Sequence, residues 1–223
     1  MQSIGHAASA PAHGKGFDTA TKLTSSTAAA LRQQGYSFCL RYLPFASNVP
    51  SSTADLDHAE TALVLNAGLA LMPVQHVRFE GWHPTSDLGT KDGQAARTHA
   101  FQAGIPAHVN VWLDLEGVAQ RTPARRIVDY CNAWYDSVAA WGYVPGLYVG
   151  WNCGLGGDSL YRDLKVKHYW KSASDVPTPA VRGYQMRQVE VDKRVCGIAI
   201  DEDVLQHDAL GETVMWLSTT CGI

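Results

Sequence analysis

Short apolar runs alternate along this chain with segments whose apolar residues recur every three or four positions. Alternating strand and helix periods predict a parallel α/β architecture. Strands are expected over 16–18, 36–43, 69–77, 109–116, 146–149, 168–172, 183–187 and 197–200. Helices are expected over 25–34, 56–66, 91–103 and 123–140, with a closing helix near 212–217. Ser/Thr capping candidates open the first helix and Gly35 ends it, while Gly68 stops the second. Residues 79–89 read as a loop bearing Gly, Pro and Trp. The run Gly154-Leu155-Gly156-Gly157 lacks the Lys-Ser/Thr pair of a phosphate loop and reads as an ordinary turn.

Eight strands, several followed by helices, predict a single TIM-like (β/α)8 barrel with abbreviated helices in its second half. A doubly wound sheet would share this order, but its usual dinucleotide fingerprint is missing. Residues 1–14 read as a flexible leader and 15–223 as the barrel.

The segment 109–117 carries the strongest chemical signal. Side chains on a strand alternate between faces, so Trp112, Asp114 and Glu116 share one face and Val111, Leu113 and Leu115 the other. Burying an unpaired carboxylate is costly, so two acids at a strand end point to a polar cavity. In such a barrel, functional groups lie at the C-terminal strand ends. Those ends offer Asp18, Arg41 and Tyr42, Gln75 and His76, Asp114 and Glu116, Tyr148 and Trp151, Gln185, and Asp201 and Asp203. A lone acid there is as readily a helix cap or an ion-pair partner. Several converging on one mouth push some pKa values up, leaving one group protonated beside ionised neighbours, the division of labour that glycosidic cleavage uses. Glu116 has the longer reach and is the expected proton donor. Asp114, Asp18 and Asp201 would support it. Tyr42, Tyr148, Trp82 and Trp151 could stack on sugar faces, although aromatic residues in barrels more often pack the core or rim.

With 223 residues, 46% hydrophobic, the chain is long enough to bury a sizeable core. The net charge of -3 and the lack of a basic run leave no footprint for nucleic acid or an anionic membrane. No apolar run is long enough to insert in a membrane. Five widely spaced cysteines without a CxxC pair read as buried thiols in a reducing compartment. Nine histidines show no metal spacing, and neither HExxH nor Gly-x-Ser-x-Gly occurs, so no cofactor is expected.

The segments Gly16-Phe17-Asp18-Thr19, Tyr36 through Leu43, Ala67-Gly68-Leu69, Ala103-Gly104-Ile105-Pro106 and Asp114-Leu115-Glu116 resemble a glycoside-hydrolase-like domain family first catalogued as domain of unknown function 1906. That family is similar in turn to the family 25 glycoside hydrolases, which are muramidases. The resemblance runs from Lys15 to about Leu210. It implies a TIM-like barrel that cleaves the β-1,4 bond between N-acetylmuramic acid and N-acetylglucosamine in peptidoglycan. Asp18 matches the first-strand Asp of the muramidases, Asp114 and Glu116 their Asp-x-Glu pair, Asp201 their last-strand Asp, Gln185 their strand-seven Gln and Tyr148 their strand-five Tyr. The resemblance implies that the glutamate is the general acid and that the substrate's N-acetyl group serves as nucleophile, helped by an aspartate. The first-strand motif is closer to the uncharacterised family than to the muramidases. A catalytically silent barrel that binds a glycan or protein through the same acidic mouth is the competing reading.

The partner expected is peptidoglycan or a related glycan, met by a monomer. The N-terminus has neither the basic start nor the apolar run of a signal peptide. Synthesis in the cytoplasm and action in the periplasm or cell wall are therefore expected, reached by holin-type lysis, a secretion apparatus or a fusion partner, with a delivery or immunity partner.

Overall fold

The computed structural model describes residues 4–45, 54–76 and 78–219. Its strands are β1 (His6–Ser9), β2 (Lys15–Thr19), β3 (Phe38–Leu43), β4 (Ala70–Gln75), β5 (Asn110–Leu115), β6 (Val144–Val149), β7 (His168–Lys171), β8 (Met186–Val195), β9 (Ile198–Leu205) and β10 (Met215–Ser218). Helices α1 (Ser25–Gln33), α2 (His58–Asn66), α3 (Ser86–Gln102), α4 (Ala124–Ala139) and α5 (Gly157–Arg162) fill the connections up to β7.

Strands β2 to β9 pair in sequence order, and β9 pairs back onto β2, so the eight form a closed TIM-like barrel. Pairing is parallel from β2 to β8. The eighth strand differs from the expected all-parallel order, because β9 runs antiparallel to both β8 and β2. The cause is local: Val195 and Ile198 pair across Cys196 and Gly197, whose φ of 51° and 83° give the positive-φ pair of a tight hairpin. A two-residue turn leaves no room for a crossover helix.

The period-two pattern sorts the barrel side chains. Phe38, Leu40, Met72, Val74, Trp112, Tyr148, Trp170, Met186 and Leu205 fill the interior. Val111, Leu113 and Leu115 point outward and join Ile127, Tyr130 and Trp134 of α4. The closing helix expected near 212–217 is instead β10, antiparallel to β1 and joined to β4 through Leu217 and Leu71. Val214 and Trp216 alternate with Leu217 and enter the interior cluster, where Trp216 meets Phe38 at 5.9 Å, so they plug the floor. His6–Ser9, within the segment read as a leader, pairs with β10.

Helix α3 starts five residues before the expected position because Gly89 and Gly93 are packing residues within it. A Cβ at Gly89 would overlap the Tyr130 backbone, and one at Gly93 would come within 2.7 Å of the Trp134 carbonyl. Glycine there lets α3 lie directly on α4. Helix α5 begins at Gly157, so the last glycine of the run expected to be a turn lies within a helix. Cys39, Cys131 and Cys153 are buried thiols, Cys196 is exposed at the β8–β9 turn, contrary to expectation, and Cys221 lies outside the described residues. Among the described residues no helix is long and apolar enough to cross a membrane.

Candidate active site

Five carboxyl groups meet at one end of the barrel. Asp114 is the last inward residue of β5, and Glu116 follows immediately after the strand. Asp18 lies opposite Asp201, and Gly16 opposite Asp203, in the β2–β9 register. Directly opposed residues in an antiparallel pair share a face, so Asp18, Asp201 and Asp203 all enter the mouth. Asp201 and Asp203 sit within β9 rather than at its end, because that strand runs the other way and continues to Leu205.

Gln188, inward on β8, ties the group together. Its Nε2 donates to Asp18 Oδ2 at 2.9 Å and to Asp201 Oδ2 at 3.0 Å. Its Oε1 accepts from Tyr148 Oη at 3.2 Å and from the Ala173 N–H at 3.2 Å. Tyr42 Oη donates to Asp18 Oδ1 at 2.9 Å, and the Tyr42 ring stacks on His76 at 4.6 Å. Trp170 Nε1 donates to Asp203 Oδ1 at 2.8 Å, while Asp203 Oδ2 and Asp114 Oδ1 are buried without a conventional donor.

Burial sets the protonation pattern. Asp18 is pushed up to about 7, first by burial and then by the charge of Asp201, with Gln188 and Tyr42 pulling back. Asp114 is held well above the carboxylate range by burial, then by Glu116 and Asp18. Asp203 is raised likewise by burial and by Asp18. Glu116 is half-buried and raised by that burial, while the backbone of Trp151 donates to it and lowers it. Its carboxyl lies against Gly150, where a Cβ would collide with it. Burial keeps His76 below the usual histidine value. Burial and mutual repulsion thus raise all five carboxyl groups, which favours a protonated acid in the mouth, as general acid catalysis needs. Among the described residues no group of three or more His, Cys, Asp or Glu is arranged to hold a metal ion.

Stability should record these shifts. A carboxyl whose folded pKa is raised binds its proton more tightly in the native state, so its contribution is full below the unfolded value of about 4 and is lost as pH rises. For Asp18 that loss runs from about 4 to about 7. The unfolding temperature should fall between pH 5 and pH 8, and Asp203→Asn should flatten the fall. Thermal denaturation across that range checks it; an unfolding temperature that rises toward pH 8 would contradict the assignment.

The structure brings together Asp18, Tyr42, Asp114, Glu116, Tyr148, Asp201 and Asp203, as the sequence suggests. It corrects two glutamines. Gln75 points away from the mouth: its Nε2 donates to the carbonyls of Phe45 and Asp92, and its Oε1 accepts from Trp134 Nε1 at 2.7 Å. Gln185 precedes β8 and spends its amide on the Tyr169 N–H, the Lys167 carbonyl and Asp208. Arg41 also turns outward, to Glu60 on α2. Trp82 is half-buried, with its ring packed edge-on against Tyr130 at 4.9 Å. Trp151 is 51% exposed and lines a cavity of 310 Å³ beside Gly150, with Leu155, Asp175 and Val176. Gln188 and Trp170 were not singled out. Interior Met186 shares its parity with Gln188, but the expected strand stopped at 187, one residue short.

The family whose model matches residues 29–205 is described as the Rv2525c-like, glycoside hydrolase-like domain. YbfG, an uncharacterised protein of Bacillus subtilis, is 33% identical over 104 residues, which are 44% of this chain and 14% of YbfG. The chain thus spans a small part of that relative's length. The Tat-secreted protein Rv2525c of Mycobacterium tuberculosis superposes with a TM-score of 0.66 at 16% identity, over 89% of this chain and 98% of that one. The bacterial lysozyme of Streptomyces coelicolor gives 0.62 at 15% identity, over 90% and 95%. At such identities these likenesses show the shared fold. The match over most of the chain places this protein in the Rv2525c-like glycoside hydrolase-like domain family.

Proposed function

We propose that this barrel is a glycoside hydrolase of the muramidase type, cutting the β-1,4 bond that follows N-acetylmuramic acid in peptidoglycan. The observation that carries the reading is the pairing on one face of β5 of a buried Asp114 with a half-buried Glu116, both raised by burial and both next to the Asp18 network. Glu116 protonates the glycosidic oxygen and then, as carboxylate, activates water. Asp114, beside Glu116 at the inner end of the mouth, orients the substrate's acetamido group, whose carbonyl attacks the anomeric carbon. Asp18, Asp201 and Asp203, held by Gln188, Tyr42 and Trp170, shape the charge behind that centre. Tyr148 lines the interior beside them, and Trp151 offers a platform at the rim.

The lysozyme likeness supports a glycan substrate, and action at the cell wall follows from that substrate. A reducing-end assay on purified peptidoglycan from pH 4 to 8 tests the activity. Release of new reducing ends supports it. Saturable binding without release would instead establish a silent glycan-binding barrel.

A further inference from the structure

Glu116 lies just past the end of β5. On the β6 side the chain is held by Gly150 N–H on the Leu115 carbonyl at 3.1 Å and Gly117 N–H on the Trp151 carbonyl at 2.9 Å, and the segment after β4 holds the other side. Gly81 N–H donates to the Gly117 carbonyl at 2.7 Å, and Ala119 N–H donates to the Trp82 carbonyl at 2.9 Å. Trp82 and Val118 form a parallel bridge. Trp82 Nε1 donates to the carbonyl of Glu116 itself at 2.8 Å.

The other end of this segment is buckled to the helices. The Arg78 guanidinium makes a two-pronged ion pair with Asp92, Nη2 to Oδ1 at 2.6 Å and Nε to Oδ2 at 3.1 Å. Asp92 is 3% exposed within α3, and Tyr130 Oη of α4 donates to it at 2.8 Å. The guanidinium lies 4.0 Å from the Phe45 ring and 5.8 Å from that of Trp82. Tying down a surface loop does not require an ion pair, whose desolvation offsets much of its attraction. A forked pair between stacked rings does fix one orientation.

We infer that residues 78–82 are a positioning strap for Glu116, in which Trp82 sets the depth and direction of the proposed acid through its main-chain carbonyl and the Arg78–Asp92 pair sets Trp82. Neither residue touches the reacting atoms. The inference rests on the reading of Glu116 as the general acid. The groups around Glu116 are Asp114 on its own strand, Tyr148 on β6, the Trp151 backbone, and Glu80 of the strap beside Gly117. None of these is a cation, and burial is the first cause of its raised value. Loosening the strap admits water and should lower the Glu116 pKa toward the ordinary glutamate value.

The decisive variant is Trp82→Phe, which keeps a packed ring and removes the indole N–H. Carbon-13 NMR titration of the Glu116 carboxyl, measured against wild type, needs no turnover and is therefore independent of whether the barrel cuts a glycan. The expected result is a downward shift of that titration. Where hydrolysis is measured, kcat should fall on the order of 10- to 100-fold with KM held, and the basic limb of the pH profile should move down with the carboxyl. Arg78→Lys, which replaces a fork by a single point, should shift the titration the same way and serves if Trp82→Phe does not fold. A lowered melting temperature with an unmoved Glu116 titration in both variants would overturn the inference and leave the strap a purely structural tie. A shifted titration in a protein that releases no reducing ends would keep the strap and overturn the hydrolase reading.

Discussion

Glu116→Gln is expected to remove peptidoglycan hydrolysis, by about 10²- to 10⁴-fold or more, while leaving the barrel folded. Glutamine matches glutamate in shape and still accepts from the Trp151 backbone, but it carries no acidic proton for the leaving oxygen. The residue is half-buried and outside the β5 ladder, so the fold does not depend on its charge. Removing it also lifts one of the charges that raise Asp114, so the variant should melt no lower than wild type at pH 8. Reducing-end release and thermal denaturation on the same preparation check both halves. Wild-type release rates in the variant would remove Glu116 from the mechanism.

Glu60→Gln is expected to lower stability by about 3–5 kcal/mol, the cost of leaving a buried charge without its partner. Arg41 and Glu60 have fully buried side chains and meet at 2.7 Å between β3 and α2. The guanidinium also donates to the carbonyl of Thr19, the residue after Asp18, and to that of Ala54 at 2.5 Å. Glu60 accepts in addition from the Leu23 N–H at 2.8 Å. The pair therefore binds the end of β2, which carries Asp18, to the second strand and its helix. For a chain of this size the loss corresponds to roughly 6–20 °C in melting temperature. The double change Arg41→Met with Glu60→Leu should recover much of it, because no charge is left stranded. A single Glu60→Gln variant that melts with wild type would show that the pair is not buried as described.

Much of this was legible in the residues. The β5 alternation placed Trp112 and Asp114 inward and Val111, Leu113 and Leu115 against α4, because a strand has only two faces and one was wholly apolar. Asp18 and Tyr42 were legible from their places at strand ends. The two glutamines failed for the same reason in reverse: Gln75 lies one residue beyond inward Val74, and Gln185 one residue before inward Met186, so a parity error of one exchanged mouth for helix layer. An amide is uncharged and satisfies buried backbone equally well on either side, so its identity does not reveal its face. Gly89 read as a loop residue because a missing side chain signals flexibility until the neighbouring helix is known. The antiparallel β9 follows from the backbone of the Cys196-Gly197 turn and the strand at 215–218 from pairing with distant β1 and β4, neither of which periodicity carries. Arg78 and Asp92 belong to no motif; only the fold brings them together.

Mass spectrometry of the soluble products from purified peptidoglycan, after borohydride reduction, identifies the bond cut. Muramidase cleavage by Glu116 gives disaccharide muropeptides whose reduced end is N-acetylmuramitol, with intact stem peptides, in the wild type and none from Glu116→Gln. Products ending in reduced N-acetylglucosamine, released stem peptides, or no products at all would contradict it.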